Sequence, residues 1–230
     1  MRKKIKLIII IFTLLTLISS STNAGNINFN IISSGIKINR TVKSKTEIRF
    51  DNIIKQKYDV SCGSAALATI FNYYYDDKIT EQEIIDTIKN FKNISTLENS
   101  SGFTLLDLKN AAELYNYNAY GLKGSLNQIK NISLPMIVLL NSPQGPHFVV
   151  IKNITDNQVN LADPALGNIT LEINEFKEQW NNIVLAIESK TKSGRNNFSK
   201  KNTPKVVNPD KLANKLSSTW IETPVNFNEF

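Results

Sequence analysis

Cys62-Gly63-Ser64-Ala65-Ala66-Leu67-Ala68-Thr69-Ile70-Phe71-Asn72-Tyr73-Tyr74-Tyr75 leaves almost no polar face. Ala65, Ala66, Leu67, Ala68, Ile70, Phe71 and Tyr74 cover nearly every direction around a helix, so the segment predicts a helix buried on most sides with Cys62 at its start. Working outward, Thr80 followed by Glu83 predicts a capping box opening a second helix over Glu81 to Asn90. Leu105, Leu108, Ala112 and Tyr115 recur near helical spacing and predict a third, from Ser101 through Asn110 to Tyr117. Upstream, residues 25–49 alternate weakly (Ile27, Phe29, Ile31; Ile36, Ile38), as one or two extended segments would.

After Gly121 the period changes. Met136 to Leu140, His147 to Ile151 and Gln158 to Ala162 are short β-rich runs, and Thr155-Asp156-Asn157 marks the last two as a hairpin. Asn168 to Leu171 predicts a further strand, Asn174 to Trp180 a short helix, and Ile183 to Ile187 a strand closing the sheet. Helices first and antiparallel strands second is an α+β order, not an alternating βαβ one.

The 230 residues hold 41% hydrophobic and 20% charged side chains, a globular composition. Residues 1–24 read as a secretory signal: Arg2, Lys3, Lys4 and Lys6, then the apolar run Leu7 to Ile18, then Thr22-Asn23-Ala24 before Gly25. The apolar run is shorter than the roughly 20 residues of a membrane span. The alternative is an uncleaved N-terminal anchor. Without those residues the formal charge falls from +7 to +3, and six positives between Lys190 and Lys205 stand with no acid among them. The high pI therefore belongs to a leader and a linker, and nucleic-acid binding is not expected. Residues 189–208 read as a solvated linker, and Leu212 to Phe230, with Trp220 and Phe227, as a tail. The expected organisation is a signal at 1–24, an extended segment at 25–49, a domain at 50–188, and a basic linker with tail at 189–230.

There is one Cys and one His, so any Cys–His chemistry within the chain has a single candidate pair. A lone Cys in an exported chain cannot form an internal disulfide, and a free thiol there is a liability unless buried or used. Cysteine nucleophiles act as thiolates, favoured by a helix N-terminus and a nearby histidine. Cys62 begins the apolar helix, and Gly63 allows close backbone approach. Read alone, Cys62 also fits a small buried hydrophobe and His147 an ordinary strand-end histidine. Each nevertheless leads an element. Asp163 ends the strand after that of His147, and in an antiparallel pair one strand's end lies beside its neighbour's start, where Asp163 would accept the imidazole N–H. Asp163 also fits a turn aspartate before Pro164. Gln56, six residues before Cys62, offers an amide to an oxyanion beside the Cys62 backbone N–H, or is a surface glutamine.

The run Gln56-Lys57-Tyr58-Asp59-Val60-Ser61-Cys62-Gly63-Ser64-Ala65-Ala66-Leu67-Ala68-Thr69 resembles the cysteine motif of the C39 peptidases, the bacteriocin-leader-processing family among papain-like proteases. The resemblance continues through Gly102 to Lys109, Leu134 to Val138, His147 to Ile151, Leu161 to Asn168 and Phe176 to Trp180, about residues 50–188 in all. It implies a papain-like α+β fold and a cysteine peptidase without cofactor or metal. In that reading Cys62 is nucleophile, His147 base, Asp163 its orienter and Gln56 an oxyanion donor. The best-known relatives are N-terminal domains of ABC transporters that cut leader peptides after Gly-Gly. This chain shows no G-x-x-x-x-G-K-[ST] loop, so ATP is not expected to bind, and it is more similar to stand-alone, signal-bearing C39-like proteins. The expected partner is a peptide or protein substrate, with Gly-Gly at the cut if that preference carries over, in the periplasm or outside the cell. Two other readings use the same residues: a non-catalytic binding protein assisting export or surface assembly, and acyl transfer to an amine.

Overall fold

The computed structural model describes residues 27–29, 38–40, 43–95, 102–142 and 145–191. The expected signal, the C-terminal tail and nearly all of the basic linker lie outside the described residues. The chain forms two compact units, Met1–Ile48 and Arg49–Phe230. In the first, β1 (Ile27–Phe29) pairs antiparallel with β2 (Ile38–Arg40), in keeping with the extended segments expected there. The short helix α1 (Lys45–Arg49) follows at the junction, where an extended chain was expected.

The second unit has the expected order. Helices α2 (Cys62–Tyr73), α3 (Glu81–Lys92) and α4 (Leu105–Leu114) come first. Then come β3 (Tyr117–Lys123), α5 (Leu126–Ile129), β4 (Met136–Ser142), β5 (Gly145–Ile154), β6 (Gln158–Asp163), β7 (Gly167–Glu172), α6 (Ile173–Gln179) and β8 (Trp180–Ser189). The six strands form one sheet in the order β3-β8-β4-β5-β6-β7, antiparallel at every pairing.

Strand periodicity splits the core in two, because successive side chains leave a strand on opposite faces. Ile137, Phe148, Val150, Ala162, Ile183, Leu185 and Ile187 pack with α2, α3 and α4. Their chain neighbours Met136, Val138, Val149, Ile151, Leu161, Val184 and Ala186 pack with Leu126 and Ile129 of α5 and Phe176 of α6. Both faces are thus covered, which explains why the strands read as continuous apolar runs and not as alternating ones. Helix α2 is the buried one: every residue from Gly63 to Phe71 is buried. Thr80 caps α3 with the expected box, accepting from the Glu83 N–H.

The third helix differs from expectation at both ends. Thr104 and Asp107 form a second capping box, so α4 begins at Leu105 and not at Ser101. Gly102, at φ +89° with Val60 O 3.2 Å from where a Cβ would stand, belongs to a turn. Asn116, at φ 65°, stops the helix, and Tyr117 opens a strand that the helical spacing did not reveal. Tyr117 is buried and stacks on Phe71 with ring centroids 4.3 Å apart, so its aromatic surface serves the sheet.

Candidate active site

The hairpin supplies one wall. β5 and β6 pair Val150 with Ala162 and Ile151 with Leu161. Continuing that register sets Asp163 across from Val149, with His147 diagonal to it on the same face, a separation that side chains can bridge. They do: the His147 Nε2–H donates to Asp163 Oδ1 at 2.8 Å. The same oxygen accepts the backbone N–H groups of Ala165 at 2.7 Å and Leu166 at 2.9 Å. The two readings of Asp163 therefore hold together, since its carboxylate builds the turn after β6 and meets the imidazole. The Asp163 side chain is only 4% exposed, and that of His147 19%.

Helix α2 supplies the other wall. Cys62, half-buried and a free thiol, is its first residue. An N-terminal turn leaves backbone N–H groups unpaired and carries partial positive charge. No acidic residue stands in the first turn of α2. Gly63 brings this turn close to the hairpin: a Cβ there would stand 3.0 Å from Leu108 Cδ1 and 3.2 Å from Phe148 Cδ2. Phe148 follows His147, so the absent Gly63 side chain sets how near Cys62 and His147 come. The two interact, as the influence of Cys62 on the His147 pKa shows, and with Nε2 given to Asp163, Nδ1 is the ring nitrogen left to face the sulfur.

Burial alone would lower the pKa of His147, but hydrogen bonds to Asp163 and Cys62 and the charges of both outweigh it and raise it to about 9. Burial pushes the pKa of Asp163 up. The hydrogen bond and charge of His147, together with the Leu166 and Ala165 N–H groups, reverse that and hold it below the ordinary carboxylate value. The pair is thus held as imidazolium and carboxylate.

The segment leading into Cys62 ties the two walls together. The Gln56 N–H donates to Pro164 O at 3.0 Å, immediately after Asp163. The Ile54 N–H donates to Thr69 Oγ1 of α2 at 2.9 Å. The Gln56 side chain is half-buried and does not extend as a free surface amide. Its Nε2 donates to Tyr58 O at 3.0 Å and Asp59 O at 3.3 Å, and its Oε1 is buried without a hydrogen-bond partner. Both amide hydrogens are thereby engaged within the loop.

One side chain here escaped the sequence reading. Glu81, the first residue of α3 and only 8% exposed, turns its carboxylate to the loop before Cys62. It accepts the Lys57 N–H with both oxygens at 3.1 Å, and its Oε1 accepts the Ser61 hydroxyl at 2.5 Å. The sequence offers only an acid after a cap, a pattern that the helix dipole already explains.

A fold of helices on an antiparallel sheet, with Cys, His and Asp brought together where α2 meets β5 and β6, defines a cysteine peptidase of the papain-like type. Residues 51–192 match the Peptidase C39 family, and the chain belongs to it. It is 33% identical over 178 residues to the probable functional amyloid protease FapD of Pseudomonas aeruginosa, covering 77% of this chain and 78% of that one. The likeness to the FapD of Pseudomonas fluorescens is also 33%, over 76% of each chain. The lactococcin-G-processing and transport ATP-binding protein LagD of Lactococcus lactis is 30% identical over 58% of this chain and 18% of its own. Among solved structures, the peptidase domain of Streptococcus ComA, a bi-functional ABC transporter involved in a quorum sensing pathway, superposes with a TM-score of 0.50. It covers 60% of this chain and 98% of that domain at 17% identity, a likeness of fold. Among the described residues no helix is long and apolar enough to cross a membrane.

Proposed function

We propose that the chain is an exported peptidase that cuts the precursor of a secreted or surface protein, with Cys62 as nucleophile, His147 as acid–base, Asp163 as orienter and Gln56 as oxyanion donor. The observation that carries this is His147, bonded through Nε2 to Asp163 Oδ1 and electrostatically coupled to Cys62, which stands at the N-terminus of α2. The thiolate attacks the scissile carbonyl, and the Cys62 N–H meets the oxyanion. Gln56 joins when the longer of its loop bonds, 3.3 Å to Asp59 O, opens. His147 then protonates the leaving amine, and water, activated by the neutral imidazole, releases the acyl-enzyme.

Export is supported by the reading of residues 1–24 as a signal. A Gly-Gly preference is supported by the C39 resemblance; it requires a cleft beside Cys62 too narrow for side chains at the last two substrate positions. The names of the two Pseudomonas relatives make a functional amyloid protein the first substrate class to try.

The test uses residues 25–230 and a peptide library containing Gly-Gly and control junctions, read by mass spectrometry beside Cys62→Ala. Expected is cleavage by the native protein and none by Cys62→Ala, with little change in stability. Cleavage by both proteins would remove Cys62 from the mechanism. An unreactive thiol and no cleavage would favour a non-catalytic binding protein, and product masses separate hydrolysis from transfer to an amine.

A further inference from the structure

Ser61 occupies the N-cap position of α2, where a serine hydroxyl ordinarily accepts an N–H from the first turn. Here it does not. Its backbone stands at φ −102°, ψ 12°, away from the extended geometry of a cap, and its side chain makes no capping bond. The hydroxyl lies within the Tyr58–Ser61 turn instead. It accepts the Tyr58 N–H at 3.1 Å, and its proton points to Glu81 Oε1 at 2.5 Å, with Tyr58 O at 2.8 Å beside it. The turn is closed by the Ser61 N–H donating to Tyr58 O at 3.2 Å. Glu81 holds the other end of the same turn through the Lys57 N–H.

We infer that Glu81 is a positioning residue for the nucleophile: its buried carboxylate fixes the Lys57–Ser61 turn so that Ser61 cannot cap α2, leaving the first-turn N–H groups beside Cys62 open to the thiolate and the substrate oxyanion. This deepens the peptidase reading and rests on it. The contact is of a strong kind, because a hydrogen bond to an ionised acceptor is shorter and roughly twice as strong as a neutral one. It has no local explanation, since Glu81 lies 24 residues from Lys57 and 20 from Ser61. The α3 cap does not need it either: Thr80 and Glu83 satisfy each other. What Glu81 adds is the link from α3 to the turn that ends in Cys62.

The role separates from plain stability by comparison with Thr69, which holds the same segment at Ile54, farther from Cys62. The experiment follows Cys62 alkylation by iodoacetamide at pH 6, which needs no substrate, and kcat and KM on any peptide the native protein cuts. Variants are Glu81→Gln, Glu81→Ala, Ser61→Ala and Thr69→Val, each checked for native circular dichroism and Tm. Displacing a reacting group by about 1 Å can cost ~10²-fold. Glu81→Ala is therefore expected to slow alkylation and kcat at least about tenfold with KM within about threefold. Glu81→Gln, which keeps the volume and one acceptor oxygen, is expected to fall between it and the native protein. Ser61→Ala removes the hydroxyl that would otherwise cap, so combined with Glu81→Ala it should recover part of the rate lost by Glu81→Ala alone. Thr69→Val should lower Tm while its alkylation rate stays native. If Glu81→Ala does not fold, the Glu81→Gln rate decides, alone and combined with Ser61→Ala. Glu81 variants that lose only what Thr69→Val loses overturn the inference and leave the peptidase reading standing. An unreactive native thiol overturns both.

Discussion

The two walls of the site are built in different ways. The His147–Asp163 wall hangs on a backbone ladder: two adjacent antiparallel strands with one register shift between Ile151 and Asn153, a short hairpin loop, and a turn closed onto Asp163 by the Ala165 and Leu166 N–H groups. The Cys62 wall has a helix behind it, but the segment that aims the helix has no ladder. It is held by single contacts reaching in from elsewhere, Thr69 to Ile54, Pro164 to Gln56, and Glu81 to Lys57 and Ser61. A ladder distributes position over many bonds, so it tolerates the loss of one. A wall of isolated contacts does not, and its side-chain substitutions should change the chemistry more than they change stability.

The hairpin wall is broken most severely at Asp163. Asp163→Ala removes the imidazole partner and the turn acceptor together, and kcat should fall by about 10²–10⁴, the scale seen when a histidine loses its orienting acid. Asp163→Asn divides those roles, because the amide oxygen still accepts the turn's N–H groups while the charge is gone; it should keep more of the stability than the alanine variant, while cleavage assays should still show kcat down by about 10⁴.

The charge has its own readout. His147, raised to about 9 from its ordinary 6.5, contributes stability that is full below about pH 6.5 and lost as the pH climbs through 9. Asp163 runs the other way: its lowered pKa contributes stability above its ordinary 3.8 that is lost as the pH falls. Denaturant titrations should show the native protein weakening between pH 6.5 and 9, and Asp163→Asn should flatten that decline. A native protein equally stable across the window would refute the assigned ion pair.

At the contact between the walls, Gly63→Ala places a methyl against Leu108 and Phe148. Overpacking of this kind costs about 1–3 kcal/mol. kcat should also fall, about tenfold, because relief comes from moving α2 away from β5. An alanine variant that loses stability and keeps full kcat would show that spacing is set elsewhere. The smallest effect on chemistry is expected far from both walls. Tyr75 donates from the buried side of the helical layer to Ile187 O at 2.8 Å, and Tyr75→Phe should cost about 1–3 kcal/mol with kcat unchanged.

What could be read from the residues follows the same division. The hairpin was legible because Thr155-Asp156-Asn157 and two apolar runs are local signals, and antiparallel geometry then places the end of β6 beside the start of β5. Helix α2 was legible because its residues are apolar in every direction. Glu81 was not, because its partners are backbone groups of a loop that carries no periodic pattern. Gln56 was placed near Cys62 by spacing alone, which does not say that Tyr58 and Asp59 carbonyls take its amide hydrogens. The end of the third helix was placed too far because the apolar spacing runs on to Tyr115, and Asn116, whose left-handed backbone ends the helix, gave no sign of it.

The ties between the first and last parts of the domain also set a timetable. Arg49 donates to Leu166 O, a residue 117 positions later, and Asn168 Nδ2 donates back to Arg49 O at 3.1 Å. Contacts so distant along the chain form after local ones, since the intervening loop must first be closed. Helix α2 with its thiol can form early, while His147, Asp163 and the Pro164 carbonyl that anchors Gln56 arrive only when the hairpin docks. On that order the Cys62 thiol would be folded into its helix before the hairpin brings His147 and Asp163 to it.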